Sequence, residues 1–157
     1  MPADLVLCET TTVIHIGAAI AALPVGSVPG AAAYYRDRLG FSILHEDAGF
    51  AIVARGGAEI HLWHASDQGW RDRPDFATNP VYSGAESFLA GTASCRIAVD
   101  GIEDLLNELS ARDVLLHGSQ SVGETHYGTR EFHAVDSDGN LLTFYSRAHR
   151  AGMDANL

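Results

Sequence analysis

The chain has 157 residues, of which 46% are hydrophobic and 19% are charged. It has enough apolar side chains for one packed domain or for two small modules that share a core, and this composition excludes global disorder. Its formal net charge of −10 argues against nucleic acid or an anionic membrane surface as a partner and favours a cationic ligand. The two cysteines, Cys8 and Cys95, form neither a disulfide framework nor a metal-binding spacing, so we expect a reduced, cytoplasmic protein.

The N-terminal residues predict an arm. Residues 1–12 contain acidic but no basic side chains, so they do not resemble a secretory signal, and no apolar run in the chain reaches membrane-spanning length. We therefore expect residues 1–18 to be a loosely held arm that precedes the first module.

The next segment predicts a strand followed by a helix. Residues 13–25 are apolar, and Pro24 lacks the N–H for a ladder bond, so the strand should lie at a sheet edge or end near that point. Ser27 is a hydroxyl N-cap with Pro29 near the first turn, and Gly40 is typical of the position just after a helix.

Three strand-like runs complete the first half of the chain. They cover residues 41–46, 50–55 and 58–64, and Gly56-Gly57 forms the turn of the last hairpin. The first half, residues 19–64, thus predicts a β-α-β-β-β order.

The long segment from residue 65 to residue 92 has no period of 2 or 3.6. We expect a surface connection with one helical turn within residues 85–89. A connection of this length is usually functional or mobile. Its aromatic residues could cover a pocket or simply fix the loop, and the sequence leaves both alternatives open.

The second half repeats the order of the first. Residues 93–99 predict a strand, Asp100 a helix N-cap, and the apolar spacing a helix on Ile102, Leu105, Leu106 and Leu109. A short strand at 114–117 and a loop at 118–128 precede a hairpin of residues 129–135 and 141–146, which turns at Asp138-Gly139-Asn140. Residues 93–147 therefore predict a duplicated module, and residues 148–157 a polar tail.

Strand alternation predicts which side chains share a face. Ile60 and Leu62 should pack on a helix, whereas Glu59, His61 and Trp63 should line the open face of the first sheet. In the second sheet Leu142 and Phe144 should point inward, and the open face should carry Ser94, Arg96, Ala98, Leu141, Thr143 and Tyr145. Such open faces would line a moderately apolar cavity with a few polar anchors.

Eight histidines invite a metal-site hypothesis, which their spacing supports only weakly. His61 and His64 differ by three positions, so they lie on opposite faces of a strand. Arg130 and Glu131 are neighbours whose charges fit an ion pair better than a catalytic pair. The chain contains neither a Gly-x-Ser-x-Gly elbow nor a glycine-rich phosphate loop, which leaves serine hydrolases and nucleotide-binding loops without support.

Four segments, in order, resemble motifs of the glyoxalase, bleomycin-resistance and extradiol-dioxygenase superfamily, also called vicinal oxygen chelate proteins. Residues 31–41 (AAAYYRDRLGF) resemble its FYxxxLGF helix-to-strand signature, and residues 135–142 (VDSDGNLL) resemble its DPDGN hairpin. Residues 92–99 and 127–132 are most similar to the bleomycin-resistance branch. The resemblance implies an α+β fold in which two tandem βαβββ modules form curved mixed sheets around a cleft, and a domain-swapped homodimer.

The resemblance also identifies the positions where metal-dependent members carry their ligands. In this chain they are occupied by Ile20, His61, Ser94 and Thr143. Only His61 ligates well, and one imidazole cannot hold a divalent ion that needs three or four protein ligands. The resemblance therefore implies no catalysis, no metal and no cofactor.

The branch without a metal sequesters drugs, and its dimers form clefts from both subunits. That similarity implies a small-molecule ligand, a basic glycopeptide of the bleomycin type, for this acidic chain. The expected lining residues are Phe50, His61, Trp63, Arg96, Tyr127 and Arg130.

Two alternatives stay open. The first is a metal-dependent lyase, dioxygenase or thiol transferase with a shifted site that uses His61 together with some of Glu131, His126 and His133. The second is a regulatory binder of an unrelated metabolite, which the sequence does not distinguish from a drug-binding protein.

Overall fold

The computed structural model describes residues 17–65 and 89–147. The predicted arm at residues 1–18 is described only at residues 17 and 18, the predicted helical turn within 85–89 only at residue 89, and the tail at 148–157 lies outside the described residues. Among the described residues no helix is long and apolar enough to cross a bilayer.

Two βαβββ modules follow one another along the chain, which confirms the predicted α+β fold. The N-module, residues 21–64, contains β1 (Ala21–Val25), α1 (Val28–Asp37), β2 (Ser42–Glu46), β3 (Phe50–Arg55) and β4 (Ala58–His64). The C-module, residues 94–147, contains β5 (Ser94–Ala98), α2 (Ile102–Ser110), β6 (Gly123–Glu124), β7 (Thr129–Val135) and β8 (Leu141–Arg147). The finer boundaries predicted around the modules, and the homodimer, stay predictions.

The two sheets have the same topology. Their strand orders are β1-β4-β3-β2 and β5-β8-β7-β6, and in each the first strand runs parallel to the fourth while the other pairs are antiparallel. Strands β1 and β5 are therefore sheet edges. Pro24 lies in β1, where its missing N–H costs no ladder bond, as predicted.

The core lies between each helix and one face of its sheet. Alternate strand residues are buried there, and the predicted inward pairs Ile60 and Leu62, Leu142 and Phe144 are among them. From α1 the buried residues include Tyr35, and those of α2 are Ile102, Leu106 and Leu109. Within residues 17–65 and 89–147, the opposite face of each sheet carries no helix, and it is called the open face.

Local signals set both ends of α1. The Ser27 hydroxyl oxygen accepts a hydrogen bond from the Gly30 N–H at 3.3 Å, so the predicted N-cap is correct. Gly40 follows the helix with a φ of +76°, a conformation that side chains with a Cβ rarely adopt. The Arg55 guanidinium then donates to the carbonyl of Leu39 at 2.6 Å.

Three local predictions were wrong. The N-cap of α2 is Gly101, which has a φ of 74°, and not Asp100. The Val99 N–H still bonds to the Tyr145 carbonyl, so Asp100 and Gly101 form the turn that leads from the strand into the helix. The strand predicted at 114–117 is a single bridge between Leu115 and Ala134, and residues 123–124 pair with β7 instead. Strand β2 begins one residue later than predicted.

The turn between β7 and β8 joins the two modules. The buried Asn140 amide donates to the Asp136 carboxylate and to the Pro24 carbonyl, both at 2.8 Å. The Tyr35 hydroxyl donates to the same carboxylate at 3.3 Å. Burial raises the pKa of Asp136. The DxDGN motif is thus a structural latch between the modules, defined here as Asp136–Asn140.

Candidate ligand-binding surfaces

An intermodule cleft of about 880 Å³ separates strand β1 from strand β5. Its apolar lining comes from both modules and includes Phe41, Ile60, Ile97, Leu105 and Phe144. Several carboxylates join that lining: Glu59, Asp100, Asp104 and Glu108. Of the predicted ligand-binding residues, only Arg96 lines this cleft among those that the structure describes.

The open face of the N-module carries an aromatic cluster, defined as His45, Phe50, His61 and Trp63. Phe50 lies at its centre: its ring centre is 4.6 Å from that of Trp63, 5.1 Å from that of His61 and 5.8 Å from that of His45. The strand register causes this, because Phe50 pairs with Trp63 and Ile52 with His61 across β3 and β4. Three predicted ligand residues are therefore neighbours.

Two ring nitrogens of the aromatic cluster differ in their hydrogen bonding: that of His61 has a partner, and that of Trp63 has none among the described residues. The His61 Nε2 lies 2.9 Å from a Glu59 carboxylate oxygen, which fixes the orientation of the imidazole ring. The Trp63 Nε1 is buried and finds no acceptor within residues 17–65 and 89–147. A buried donor without an acceptor is costly, so this indole is a candidate to bind an incoming acceptor.

The open face of the C-module carries a second group, the arginine platform, defined as Arg96, Tyr127, Glu131 and Tyr145. The Arg96 guanidinium carbon lies 4.8 Å from the Tyr145 ring centre and 5.9 Å from that of Tyr127. Both guanidinium Nη atoms donate to the Glu131 carboxylate, and the Tyr127 hydroxyl donates to it at 3.1 Å. These contacts hold the planar guanidinium over the Tyr145 ring, with the Tyr127 ring farther away.

Glu131 is the negatively charged residue that holds the arginine platform together. Only 7% of this residue is exposed, and the Thr129 hydroxyl donates to its carboxylate as well. The hydrogen bonds from Arg96 lower the pKa of Glu131 to about 2, against a partial desolvation of the carboxylate that acts in the opposite direction. The carboxylate is therefore charged at neutral pH.

Arg130 lies on the other face of β7. It alternates with Glu131 and shares the side of Phe132 and Ala134, and its guanidinium pairs with Glu103 of α2. The structure does not bring Arg130 to the open face, where the other five predicted ligand residues lie.

The positions of the superfamily's metal ligands are also on the open faces. Ile20 is 49% exposed, and the Thr143 hydroxyl lies 3.0 Å from the His133 Nδ1. Within the two described stretches, no three His, Cys, Asp or Glu side chains are grouped closely enough to hold a metal ion. Of the donors in the shifted-site alternative, Glu131 is occupied by Arg96, and the His126 ring packs edge-on against Tyr127.

Sequence reasoning missed Glu131 and Tyr145 as members of a binding surface. The sequence predicts Tyr145 on the open face but not as a ligand-binding residue, and it predicts Glu131 as the ion-pair partner of Arg130 or as a metal ligand, whereas Glu131 pairs with Arg96 and Arg130 pairs with Glu103. The pairing of Glu131 with Tyr145 across β7 and β8 places them side by side. Alternation from the apolar Phe132 and Ala134 is the signal that would have assigned Glu131 to the open face.

Comparison with known proteins gives one family and close sequence relatives. The model of the glyoxalase/bleomycin resistance protein/dioxygenase superfamily matches residues 13–144. A protein of Geobacillus stearothermophilus named bleomycin resistance protein is 43% identical over 128 residues, which are 82% of this chain and 95% of that protein. A protein of the same name from Staphylococcus aureus matches to the same extent.

Solved structures agree on the fold. One similar structure is the bleomycin-binding protein from bleomycin-producing Streptomyces verticillus, complexed with copper(II)-bleomycin. It has a TM-score of 0.63 and 23% sequence identity, and the match covers 88% of this chain and 100% of that one. A bleomycin resistance determinant encoded on transposon Tn5 has a TM-score of 0.61 and 23% identity over 84% of this chain and 98% of that one. At this identity the likeness establishes the shared architecture of the chains.

Proposed function

Because this chain belongs to the glyoxalase/bleomycin resistance protein/dioxygenase superfamily, we propose that it binds a bleomycin-type glycopeptide and protects by sequestering the drug, without chemistry. The observation that carries the proposal is the pair of aromatic surfaces on the open faces. The aromatic cluster around Phe50 and the arginine platform around Arg96 both offer flat surfaces to heteroaromatic groups. The relatives at 43% identity are named for resistance to this drug.

Charge supports the same ligand. The chain carries a formal net charge of −10, which attracts a basic drug and speeds its encounter. Glu59 adds a carboxylate directly beside His61 on the N-module open face. We place this function in the cytoplasm, where Cys95 would stay reduced; burial raises the pKa of its thiol to about 11.

We propose that the complete binding cleft needs two chains. The aromatic cluster and the arginine platform belong to different modules, and Ile20 and Tyr127 expose 49% and 57% of their surface on the open faces. An N-module from one protomer facing the C-module of its partner would cover these residues and place both aromatic surfaces in one cleft.

Isothermal titration calorimetry with metal-free bleomycin and with copper(II)-bleomycin tests the proposal. We expect saturable binding with about one drug per protomer and a dissociation constant in the micromolar range or below, about 8 kcal/mol of binding free energy or more. An absence of heat at micromolar protein would contradict sequestration. A stoichiometric, chelator-sensitive metal in the purified protein would instead favour the metal-dependent alternative.

A further inference from the structure

We propose that Glu131 is a positioning residue that cancels the charge of Arg96 and fixes its plane, so that an arginine can serve as a stacking surface for a cationic, flat guest. This inference rests on the proposed function and deepens it. It concerns which residue makes the C-module surface selective for such a guest.

The need for Glu131 follows from the sign of the ligand charge. A basic guest is repelled by an uncompensated guanidinium, and like-charge contacts are a common means of rejecting a partner. Arg96 is 47% exposed at its side chain, so its charge would act directly on the guest. The Glu131 carboxylate, ion-paired with it, brings the formal charge of the pair to zero and removes this repulsion.

The geometry shows that the pair is built rather than incidental. Glu131 is only 7% exposed, yet its two oxygens accept hydrogen bonds from Arg96, Tyr127 and Thr129. A residue that carries a surface ion pair alone would be solvated and mobile. Here the tyrosine and threonine hydroxyls fix the carboxylate, and the carboxylate fixes the guanidinium over the Tyr145 ring.

Preorganisation is the second effect of the pair. An arginine side chain without an ion-pair partner moves freely, and it loses conformational entropy when a guest orders it. The bidentate contact with Glu131 orders Arg96 before the guest arrives. The platform therefore recognises a flat conjugated group that bears positive charge. The neutral Arg96–Glu131 pair provides the stacking surface, and no net charge of the platform repels the guest.

The experiment compares Glu131→Gln with a matched control on helix α2, whose Glu103 pairs with the other arginine, Arg130. Glu103→Gln removes the same formal charge but breaks the Arg130 pair on the helix face. Bleomycin titrations at low and at physiological salt are measured for both variants. We expect Glu131→Gln to lower affinity about tenfold or more, with the larger loss at low salt, whereas Glu103→Gln stays near the wild type.

A double variant separates charge from structural damage. Arg96→Gln with Glu131→Gln removes both charges, and we expect it to bind the drug more tightly than Glu131→Gln alone, because the repulsion is gone. A purely structural role for Glu131 predicts no such recovery and no salt dependence of the loss. Equal affinities of Glu131→Gln and Glu103→Gln, or a double variant no better than the single one, would overturn the inference.

Two further measurements keep the outcomes distinct. Slow exchange of the Arg96 Nη–H protons in nitrogen-15 NMR spectra, lost in Glu131→Gln, reports the positioning without any drug, because both Nη atoms donate to Glu131. If the wild type takes up no drug, the proposed function fails, and this NMR result alone decides whether Glu131 positions Arg96. If Glu131→Gln does not fold, Arg96→Gln replaces it. That variant leaves the carboxylate uncovered, and its drug affinity should rise more steeply than that of the wild type as salt is lowered.

Discussion

Phe50 is the residue that the other rings of the aromatic cluster contact, since the rings of His45, His61 and Trp63 all pack around it. We expect Phe50→Leu to lower bleomycin affinity about tenfold while the fold survives, because its side chain is only partly buried on the open face. Leu44→Ala, a change at a residue 62% exposed on the same sheet, is the control. Calorimetry that gives the two variants equal affinity would exclude the cluster from the site.

Glu131 also makes an acid-dependent contribution to stability. The pKa of its carboxylate in the folded chain, about 2, lies below the ordinary value of 4.5, so its contribution is complete above the ordinary value and is lost as pH falls toward the folded one. We expect the free energy of unfolding of the wild type to fall more steeply than that of Glu131→Gln below about pH 4.5. Urea denaturation midpoints of both proteins across this pH range measure the difference. Parallel pH dependences would show that folding does not lower the pKa of Glu131.

The contact that the sequence did not predict, between Arg96 and Glu131, depends on tertiary register. Arg96 and Glu131 are separated by 35 positions, and only the order β5-β8-β7 brings them together. The distance between them along the chain gives no local signal. Arg130, in contrast, was assigned to the site although alternation from Phe132 places it on the helix face.

At the scale of the elements, the latch turn is a buried link between the modules. Asn140 is fully buried, its amide oxygen accepts from the Ala93 N–H at 3.1 Å, and its amide N–H donates to Pro24 and Asp136. Asn140→Ala leaves the Ala93 N–H unpaired and leaves the Pro24 carbonyl with only the 3.4 Å hydrogen bond from the Gly91 N–H, and a buried group left unpaired costs about 1–3 kcal/mol. We expect unfolding to become about 3 kcal/mol easier.

The control for this change lies in the same turn. Ser137 is exposed, so Ser137→Ala should leave the denaturation midpoint within the error of the measurement. Chemical denaturation of both variants, followed by circular dichroism, gives the comparison. A midpoint for Asn140→Ala equal to that of Ser137→Ala would mean that the latch does not hold the modules together.

Elements were predictable wherever one local rule dominated. Alternation identified the central strands, Ser27 and Gly40 marked the ends of α1, and the DxDGN turn marked a hairpin. The same rules failed at Asp100, where a strand contact at Val99 delays the helix, and at Leu115, where pairing with β7 stops after one bridge. Both failures depend on a partner strand, which a single segment of sequence does not contain.

At the scale of the whole molecule, the dimeric cleft can be tested by subunit complementation. A chain with Phe50→Ala loses the aromatic cluster, and one with Arg96→Ala loses the arginine platform. If each cleft combines the N-module of one protomer with the C-module of its partner, a heterodimer of the two variants holds one intact cleft and one doubly damaged cleft. We expect randomly paired mixed chains to recover about one quarter of the wild-type drug capacity, because about half of the dimers are heterodimers and each of these holds one intact cleft of two.

Binding measured by calorimetry on each variant alone and on the refolded mixture checks this prediction. A mixture with no more capacity than the separate variants would show that one chain provides both surfaces. Sedimentation of the wild type gives the oligomeric state directly, and a monomer at binding concentrations would remove the basis of the shared cleft.

The central claim is that the open faces hold a bleomycin-type drug and leave it unchanged. The most direct measurement saturates the protein with bleomycin, removes free drug by gel filtration, denatures the complex and weighs the released drug by mass spectrometry. The account predicts that about one drug per protomer travels with the protein and is released with its original mass. Drug that fails to travel with the protein, or that is released with a changed mass, contradicts it.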